Sequence, residues 1–188
     1  MRLAPADEKA RYDTHRNGDE GHRRFLEPVA RAVAENLPAG ARGLDWGSGP
    51  VPALAEMLGE RSFDMRIYDP FYHDVRPQGA FDFITTTEVI EHCHEPARDL
   101  CAMRELLAPG GWLFVMTETH PGPAKMASWY YWRDPTHVSF FSPRSFEKFA
   151  TLFGLELVRG SGRLWAFRQD DRAEKISSRP PVSGSVPE

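Results

Sequence analysis

The apolar residues of the chain follow a helical period in some stretches and form short continuous runs in others. A helix that runs to about residue 36 is predicted by apolar side chains that recur every three or four positions: Phe25, Leu26, Val29, Val33 and Leu37. Further helices are predicted at 52–58, 95–107 and 143–153. Buried strands are predicted at 43–46, 65–69, 81–86 and 112–117.

The region after residue 142 has the pattern of a helix followed by a β-hairpin. Ser142 and Pro143 are typical of a helix start, and Gly154 is typical of a helix end. Two apolar segments, 155–159 and 163–169, then flank a glycine-rich turn. Strand–helix alternation that ends in a hairpin predicts an α/β fold with a mostly parallel sheet, a C-terminal antiparallel hairpin and helices on both faces.

Composition divides the chain into three parts. The predicted α/β domain spans residues 25–169, and the polar segment 1–24 precedes it. Acidic and basic residues interleave in that segment, which fits either a lid over a binding site or a solvated charged face. Residues 170–188 contain few apolar side chains and are expected to be disordered, because they bury too little surface to offset their ordering entropy.

Charge and cysteine content limit the class of protein. The 188 residues have a formal net charge of −4, whereas proteins dedicated to nucleic acid or anionic membranes usually have a basic excess. No apolar run approaches the roughly 18 residues of a membrane span, and the N-terminus lacks the apolar core of a secretory signal. Two cysteines cannot form a disulfide framework, so we expect a protein of the reducing cytoplasm.

A glycine-rich turn follows the first predicted strand. Gly47 and Gly49 would let the backbone approach a ligand closely, and Asp45 lies just before them. Asp69 ends the next strand, where a carboxylate can accept hydrogen bonds from a ribose diol. These residues predict a nucleotide site, with a purely structural turn as the alternative. NAD is disfavoured, because Pro52 stands where the dinucleotide fingerprint has its third glycine.

Four segments within residues 43–160 resemble motifs of the class I S-adenosylmethionine-dependent methyltransferases. LDWGSGPVP resembles the first motif, RIYDPF the second-strand acid, FDFITTTEVIEH the fourth strand and LLAPGGWLFVMTE the fifth. The resemblance implies a Rossmann-like fold, methyl transfer and these cofactor-binding residues: Asp45, Gly47, Ser48, Gly49, Asp69, Pro70, Phe71 and Thr87. It also implies that the glycine turn cradles the methionine end of the cofactor and that Asp69 binds the ribose. Val51 replaces the third glycine of the first motif.

One element of that family is predicted to be missing. Only eleven residues separate Asp69 from Phe81, and the family's helix and third strand cannot both fit there. The third strand would be an edge strand, so its loss leaves the sheet intact but removes the usual wall of the adenine site. Phe71 and Tyr72 are predicted to cover the adenine instead, with packing of a surface loop as the alternative.

Two further segments have candidate roles at the site. After the fifth-strand motif, six aromatic residues fall within thirteen positions: Trp129, Tyr130, Tyr131, Trp132, Phe140 and Phe141. They predict either an acceptor pocket, with Tyr130 as a catalytic candidate, or a hydrophobic cluster over the sheet end. Before the domain, three residues resemble a tyrosine, a histidine and an asparagine of some relatives: Tyr12, His15 and Asn17.

The segment EVIEH is a candidate metal site. Glu88, Glu91 and His92 are three and four positions apart, which on a helical turn would place them on one face, and this donor set suits a divalent cation. The segment resembles that of small-RNA 2′-O-methyltransferases and of ubiquinone-pathway O-methyltransferases. In the small-RNA enzymes a later histidine completes the site, and His137 stands in a matching place. The alternative is a site without metal, with Glu88 touching the acceptor and His137 acting as a general base.

These observations favour a small-molecule O-methyltransferase that uses S-adenosylmethionine, with metal assistance and a metal-free site both left as alternatives. A methyltransferase acting on RNA or protein is the second hypothesis, and a non-catalytic cofactor-binding member of the fold is the third. The acidic balance disfavours nucleic acid as a partner, although a basic cleft would reverse that order. The identity of the acceptor and the oligomeric state stay open.

Overall fold

The computed structural model describes residues 4–14 and 18–170. Its helices are α1 (Pro5–Tyr12), α2 (Glu20–Asn36), α3 (Ala53–Gly59), α4 (Pro96–Glu105) and α5 (Pro143–Phe153). Its strands are β1 (Arg42–Trp46), β2 (Asp64–Tyr68), β3 (Phe81–Thr87), β4 (Leu107–Met116), β5 (Leu155–Ser161) and β6 (Leu164–Gln169). Short 3₁₀ segments at Pro123–Ser128 and Tyr131–Arg133 follow β4. The predictions for His15, Asn17 and the tail beyond residue 170 lie outside the described residues.

The strands form one sheet in the order β2-β1-β3-β4-β6-β5. The first four strands of that order run parallel to one another. β6 pairs antiparallel with both β4 and β5. The predicted α/β fold, a mostly parallel sheet with a C-terminal antiparallel hairpin, is therefore confirmed.

The third strand expected from the family is missing from the described part of the chain, and β2 forms the edge of the sheet. After β2 the chain makes a tight turn, in which Asp69 and His73 exchange two backbone hydrogen bonds of 3.0 and 2.9 Å. It then returns to β3 past Arg42, which donates to the carbonyl of Ala80 at 3.2 Å. A turn this short leaves no length for a crossover helix and another strand.

Two separate hydrophobic cores lie on the two faces of the sheet. α2 and α3 cover the face that presents Phe83 and Phe114, and α4 and α5 cover the face that presents Ile84 and Val115. All four side chains are fully buried, and neighbours along one strand face opposite layers, as the period of two requires. Helices thus flank both faces, as predicted.

Helix caps set two of the boundaries. α5 begins at a capping box in which Ser142 accepts a hydrogen bond from the backbone N–H of Ser145 at 3.2 Å, and Gly154 ends the helix at a φ of 62°. α2 begins earlier than the sequence pattern predicted, because Asp19 caps it and accepts from the backbone N–H of His22 at 2.8 Å. The predicted domain boundary between residues 24 and 25 therefore falls inside α2.

β4 also begins earlier than predicted. We expected a helix up to Leu107 and a strand from Trp112, but α4 ends at Glu105 and β4 starts at Leu107. Phe81 pairs with Leu107 and Phe83 pairs with Trp112, so residues 108–111 bulge out of the ladder. Glycine at 110, with a φ of 72°, lets the strand continue through this bulge instead of ending before it.

α1 has no counterpart among the elements predicted from the sequence. None of the side chains described in it is buried. A helix without an apolar stripe produces no periodic signal, so its formation depends on contacts with the rest of the fold.

Cys93 and Cys101 are both free thiols, as their small number suggested. Within residues 4–14 and 18–170, every helix is too short or too polar to cross a lipid bilayer.

Candidate functional site

A cleft of about 900 Å³ opens where β1, β2 and β3 end. Its walls come from the turns after these strands, from α1 and from the start of α4. The cleft is lined by all of the residues predicted to bind the cofactor: Asp45, Gly47, Ser48, Gly49, Asp69, Pro70, Phe71 and Thr87. The structure therefore brings this predicted set together at one place.

Left-handed backbone at two glycines shapes the turn between β1 and α3. Gly47 has a φ of 81° and Gly49 a φ of 67°, a region that side chains with a Cβ rarely adopt. The backbone N–H of Gly47 donates to the carbonyl of Tyr68 at 2.7 Å, which ties the turn to the end of β2. A Cβ on Gly47 would lie 2.4 Å from the side chain of Val89, which also lines the cleft. Only glycine fits this position without displacing the wall.

Asp69 joins two loops through its carboxylate, which is almost fully buried. Oδ2 accepts a hydrogen bond from the backbone N–H of Gly49 at 2.9 Å, and Oδ1 accepts one from the backbone N–H of Phe71 at 2.8 Å. Oδ1 also accepts from the backbone N–H of Tyr72 at 3.3 Å, so the acceptor capacity that Asp69 retains towards a diol in the cleft is mainly on Oδ2. The same side chain thus fixes the glycine turn relative to the loop after β2.

Asp45 is a buried acid whose charge changes near neutral pH. Its Oδ1 accepts a hydrogen bond from the hydroxyl of Thr85 at 2.9 Å. Burial raises the pKa of Asp45 to about 7, the nearby Asp69 acts in the same direction, and the Thr85 hydrogen bond opposes the shift. An ionised Asp45 is complementary to a ligand cation at the glycine turn.

We expect the affinity for S-adenosylhomocysteine to rise about tenfold between pH 6 and pH 8, because ionisation of Asp45 with a pKa of about 7 falls between these values. The physical reason is attraction between the carboxylate and the amino group at the methionine end of the ligand. Calorimetric titration at both pH values measures the effect. Asp45→Asn should show no such rise, and a rise of the same size in that variant would contradict the assignment.

The stability of the free protein should follow the opposite trend. The pKa of Asp45 is about 7 in the folded chain against an ordinary value of 3.8, so the folded state binds more protons between these values. The free energy of unfolding therefore receives a contribution that falls as pH rises through this window. The stability of Asp45→Asn minus that of the parent chain should therefore be larger at pH 8 than at pH 5. Thermal unfolding of both proteins at the two pH values checks this difference.

One polar atom in the cleft wall has no partner among the described residues. The hydroxyl oxygen of Ser48 is buried and makes no hydrogen bond. Buried hydroxyls are normally bonded, so this atom fits a ligand that brings a polar group to the glycine turn. Together with the acid of Asp69 and a cleft volume typical of ligand sites, it makes these residues fit S-adenosylmethionine.

Aromatic side chains meet across the cleft. The ring of Tyr12 in α1 lies edge-on to Phe71 at 5.7 Å and edge-on to His92 at 5.1 Å, measured between centroids. Phe71 belongs to the loop after β2, which the sequence placed near the adenine, and Tyr72 of that loop also lines the cleft. Tyr12 therefore lies between the part of the cleft predicted to bind the cofactor, at Phe71, and the part predicted to bind a metal, at His92.

Polar contacts hold α1 at both sides of the cleft. The hydroxyl of Tyr72 donates to Asp13 at 2.6 Å on the side of the loop after β2. The guanidinium of Arg11 pairs with Asp134 at 2.8 Å on the side of the segment after β4. α1 thus spans the cleft and is anchored by exposed or half-buried groups rather than by a hydrophobic core.

Three of the four predicted metal ligands gather at one point. Glu91, His92 and His137 each offer one ligand atom, and these atoms lie within 4.8 Å of one another. Glu91 is fully buried and accepts hydrogen bonds from the hydroxyls of Thr117, at 2.8 Å, and Tyr131. Burial raises the pKa of Glu91, and the neighbouring Glu88 acts in the same direction. A cation would compensate the negative charge that burial disfavours.

Backbone carbonyls orient both imidazoles of this cluster. Nδ1 of His137 lies 2.5 Å from the carbonyl oxygen of Tyr131, and Nδ1 of His92 lies 3.2 Å from that of Thr136. A carbonyl only accepts, so in the neutral rings Nδ1 donates its hydrogen and the lone pair is on Nε2. Second partners of this kind orient histidine ligands in metal sites. One carboxylate and two imidazoles fit Mn²⁺, Fe²⁺, Co²⁺ or Zn²⁺.

Glu88, the fourth predicted ligand, lies outside this cluster. Both of its carboxylate oxygens are 3.2 Å from Nη1 of Arg163. The spacing of the motif predicted a helical turn, but Glu88 adopts a left-handed φ of 53° and residues 90–92 form an isolated turn. The side chain of Glu88 therefore leaves the face that Glu91 and His92 share, although it still lines the cleft.

The aromatic segment after β4 packs over the sheet end. Trp129 and Tyr131 are buried, whereas Tyr130 is 59% and Trp132 50% exposed. The described lining of the cleft includes none of these four residues. The hydroxyl of Tyr130, the predicted catalytic residue, donates to Glu118 at 2.5 Å outside the cleft. The two buried residues, Trp129 and Tyr131, therefore pack over the sheet end and do not line the cleft.

Sequence reasoning missed the basic partner that Glu88 and Glu118 share. Arg163, in the turn between β5 and β6, binds both Glu88 and Glu118. It stands 75 positions after Glu88, so no local spacing links the two residues. No pattern in the sequence singles out Arg163, because the same hairpin also contains Arg159 and Arg168.

Most of the charged side chains that line the cleft are acidic. The carboxylates are Glu8, Asp45, Asp69, Glu88, Glu95 and Asp99. The arginines among the lining residues are Arg76 and Arg98. The cleft therefore lacks the basic excess that a polyanionic substrate requires.

A family model of the methyltransferase domain matches residues 12–159 of the chain. The ubiquinone biosynthesis O-methyltransferase of Burkholderia thailandensis is 43% identical over 42 residues, which make up 22% of this chain and 18% of that protein. The match thus covers less than one fifth of the curated relative and includes only part of the site.

Solved structures share the fold at low sequence identity. The 1,6-didemethyltoxoflavin-N1-methyltransferase of Burkholderia thailandensis, solved with S-adenosylhomocysteine, superimposes with a TM-score of 0.65 at 14% identity over 91% of this chain and 93% of that one. The magnesium protoporphyrin IX methyltransferase of Synechocystis PCC 6803, also with bound S-adenosylhomocysteine, gives 0.56 at 13% identity over 88% and 94%. With the family model matching most of its length, the chain belongs to the methyltransferase-domain family.

Proposed function

We propose that the protein methylates an oxygen atom of a small-molecule acceptor, assisted by a divalent cation at Glu91, His92 and His137. The main support is that the two imidazoles of this cluster line the same cleft as the predicted cofactor residues. Two structural neighbours are named for small-molecule acceptors, 1,6-didemethyltoxoflavin and magnesium protoporphyrin IX, and a curated relative is named as an O-methyltransferase of ubiquinone biosynthesis. We also propose residues 25–169 as the catalytic domain and the reducing cytoplasm as its compartment.

The residues at the glycine turn would hold the cofactor. When bound, S-adenosylmethionine supplies a methyl group on a positively charged sulfur, which a nucleophile displaces in line. Asp69 would accept hydrogen bonds from the ribose, and Ser48 would bond the polar end of the ligand. Phe71 and Tyr72 would cover the adenine in place of the missing third strand. The chain's contribution is therefore mainly positional.

The imidazole pair would prepare the acceptor. A divalent cation at this point supplies Lewis acidity that lowers the pKa of a bound hydroxyl. Thr117 and Tyr131 hold the carboxylate of Glu91 from behind, while His92 and His137 face the cleft. Without a cation, Nε2 of His137 would act as a general base towards the same hydroxyl.

Transfer of labelled methyl groups from S-adenosylmethionine tests the acceptor class. Small phenols and catechols are offered in parallel with single-stranded RNA and with a denatured protein mixture, each with and without Mn²⁺. We expect label on the small hydroxyl compounds and none on RNA. Label on RNA or protein alone would contradict the small-molecule proposal.

Asp69→Ala should weaken binding of S-adenosylhomocysteine by about 2–3 kcal/mol, because two charge-assisted hydrogen bonds to the ribose are lost. Calorimetric titration measures this loss. Asp69 also holds the backbone of Gly49 and Phe71, so thermal stability should fall as well. Asp64→Ala, at the exposed start of β2, is the matched control and should keep the parent affinity. Parent-like affinity in Asp69→Ala would contradict the ribose assignment.

We further propose that the segment 1–24 is a lid; its described residues are 4–14, which include α1, and 18–24, which include the start of α2. Tyr12→Ala removes the ring contacts with Phe71 and His92, so S-adenosylhomocysteine should dissociate about tenfold faster, the expected effect of about 1.4 kcal/mol of lost aromatic contact. Stopped-flow displacement measures the rate. Tyr12→Phe keeps the ring and loses the hydroxyl bond to Glu8, so its rate should remain near that of the parent. Equal rates in the parent and Tyr12→Ala would reject the lid.

A further inference from the structure

Arg163 occupies a position between two carboxylates at the rim of the proposed cation site. Its Nη1 is 3.2 Å from each carboxylate oxygen of Glu88, and its Nη2 contacts Glu118. The backbone of Arg163 is tied to the end of β4, because its carbonyl accepts a hydrogen bond from the N–H of Thr117 at 3.0 Å. The guanidinium itself is held beside Glu88 by its ion pair with Glu118 and by the ring of Tyr131, whose centroid lies 5.8 Å from Cζ.

We infer that Arg163 is a positioning residue that withholds Glu88 from the cation site and so limits that site to one carboxylate and two imidazoles. The inference rests on the proposed cation site at Glu91, His92 and His137. It departs from the four-ligand set that the sequence motif alone suggests, since Glu88 belongs to that set by resemblance.

Glu88 is close enough to join the site if Arg163 releases it. The hydroxyl of Tyr131 contacts both acids, lying 3.2 Å from Oε2 of Glu88 and also bonding Glu91. Glu88, His92 and His137 line the same cleft. A change of side-chain rotamer, without movement of the left-handed backbone, would turn the carboxylate of Glu88 from Arg163 towards the imidazoles.

Arg163 would not be left unpaired by such a change. Glu118 remains bound to Nη2, and the hydroxyl of Tyr130 accepts from the same nitrogen at 2.5 Å. Removing one partner of a buried ion pair is costly when the other charge is left alone, and here a second carboxylate prevents that. Arg163 and a cation would therefore compete for the carboxylate of Glu88, and the ion pair with Arg163 keeps that carboxylate away from the cation.

The donor set decides which cation binds. Two imidazoles and one carboxylate favour borderline ions such as Co²⁺ and Zn²⁺, whereas a second carboxylate increases the affinity for harder ions such as Mn²⁺ and Mg²⁺. It also fills a coordination position that an acceptor hydroxyl would otherwise take. Arg163 would thus keep a position open for the acceptor and bias the site away from Mg²⁺.

Binding of Mn²⁺ and Co²⁺ to the full chain, without cofactor, tests this role. In Arg163→Gln we expect Mn²⁺ affinity to rise about tenfold, in the range by which partners of metal ligands change affinity. The visible bands of bound Co²⁺ should weaken as the coordination number increases. Glu118→Gln removes the other carboxylate on Arg163 but leaves the pair with Glu88, so it should show neither change.

A double variant separates ligation from a general charge effect. Arg163→Gln with Glu88→Asp keeps the negative charge but shortens the side chain by one methylene, and aspartate tolerates the left-handed backbone at this position. The gain in Mn²⁺ affinity should disappear in this variant. If the gain persists, Arg163 acts only through its charge and the inference is wrong.

The remaining outcomes are distinct from one another. Binding of Co²⁺ to the parent with no change of affinity or spectrum in Arg163→Gln would overturn the role of Arg163 alone. No binding of Co²⁺ or Mn²⁺ to any variant would overturn the cation site on which the inference rests. Should Arg163→Gln fail to fold, Arg163→Lys supplies the test, because a single ammonium cannot hold both carboxylates in the guanidinium's geometry and should give a smaller shift in the same direction.

Discussion

Gly47→Ala should abolish detectable binding of S-adenosylhomocysteine and lower the thermal stability of the chain. Gly47 has a φ of 81°, where an alanine costs about 1–2 kcal/mol. The added Cβ would lie 2.4 Å from the side chain of Val89, and overlap of this kind costs about 1–3 kcal/mol more. Because Val89 lines the cleft, relief of the overlap displaces the wall against which the ligand packs. Calorimetry and thermal unfolding measure the two effects.

Gly40 provides the matched control for this substitution. It has a similar φ of 84°, but a Cβ there would meet no atom within 4 Å, and it does not line the cleft. Gly40→Ala should therefore lose stability through backbone strain and keep the parent affinity. Shortening Val89 to alanine in the Gly47→Ala background should restore part of the binding. Parent-like affinity in Gly47→Ala would show that the turn does not contact the ligand.

The fold was predictable because its signals are local. A continuous apolar run marks the second half of β4, and the serine–proline start and glycine end of α5 specify that helix through its own termini. The missing third strand followed from a count of residues between Asp69 and Phe81. Parallel strands need long crossover connections. The eleven residues after Asp69 are too few for a crossover that contains a further strand, which limits the possible strand order.

α1 and the bulge in β4 were not predictable for physical reasons. α1 has no buried apolar stripe, so its contacts across the cleft distinguish it from a solvated segment: the ion pair with Asp134, the bond of Asp13 at its C-terminal end to Tyr72, and the ring contacts of Tyr12. In β4, a proline and two glycines normally end an element, but here Gly110 at a φ of 72° lets the strand resume its ladder. Both outcomes depend on neighbours that are distant in sequence.

The cluster after β3 shows that the spacing of a motif does not by itself predict which side chains meet. The spacing of Glu88, Glu91 and His92 suggested one helical face, but the left-handed φ of 53° at Glu88 breaks that face. Long-range partners decide the rest, because Arg163 binds Glu88 while Thr117 and Tyr131 bind Glu91. The residue types were predictable from the sequence, whereas their grouping was set by one arginine and two hydroxyl groups from segments distant in sequence.

Removal of divalent metal should reduce the turnover number at least about 100-fold. Lewis-acid activation of an acceptor hydroxyl contributes several kcal/mol, and each 1.4 kcal/mol is about a factor of ten in rate. Treatment with a chelator, followed by stepwise return of Mn²⁺ or Co²⁺, measures the loss and its recovery with any acceptor that is methylated. Binding of S-adenosylhomocysteine should survive the chelator, because the predicted cofactor residues lie in the other half of the cleft.

His137→Asn should reproduce the effect of the chelator and should not respond to added metal. His137 contributes one of the three clustered ligand atoms, and its Nδ1 is held by the carbonyl of Tyr131 at 2.5 Å, so asparagine cannot place a donor where Nε2 stands. His94→Asn is the control, because His94 also lines the cleft but is exposed and lies outside the cluster. Loss of activity in His137→Asn with full activity of the chelated parent would leave His137 as a general base and reject the cation.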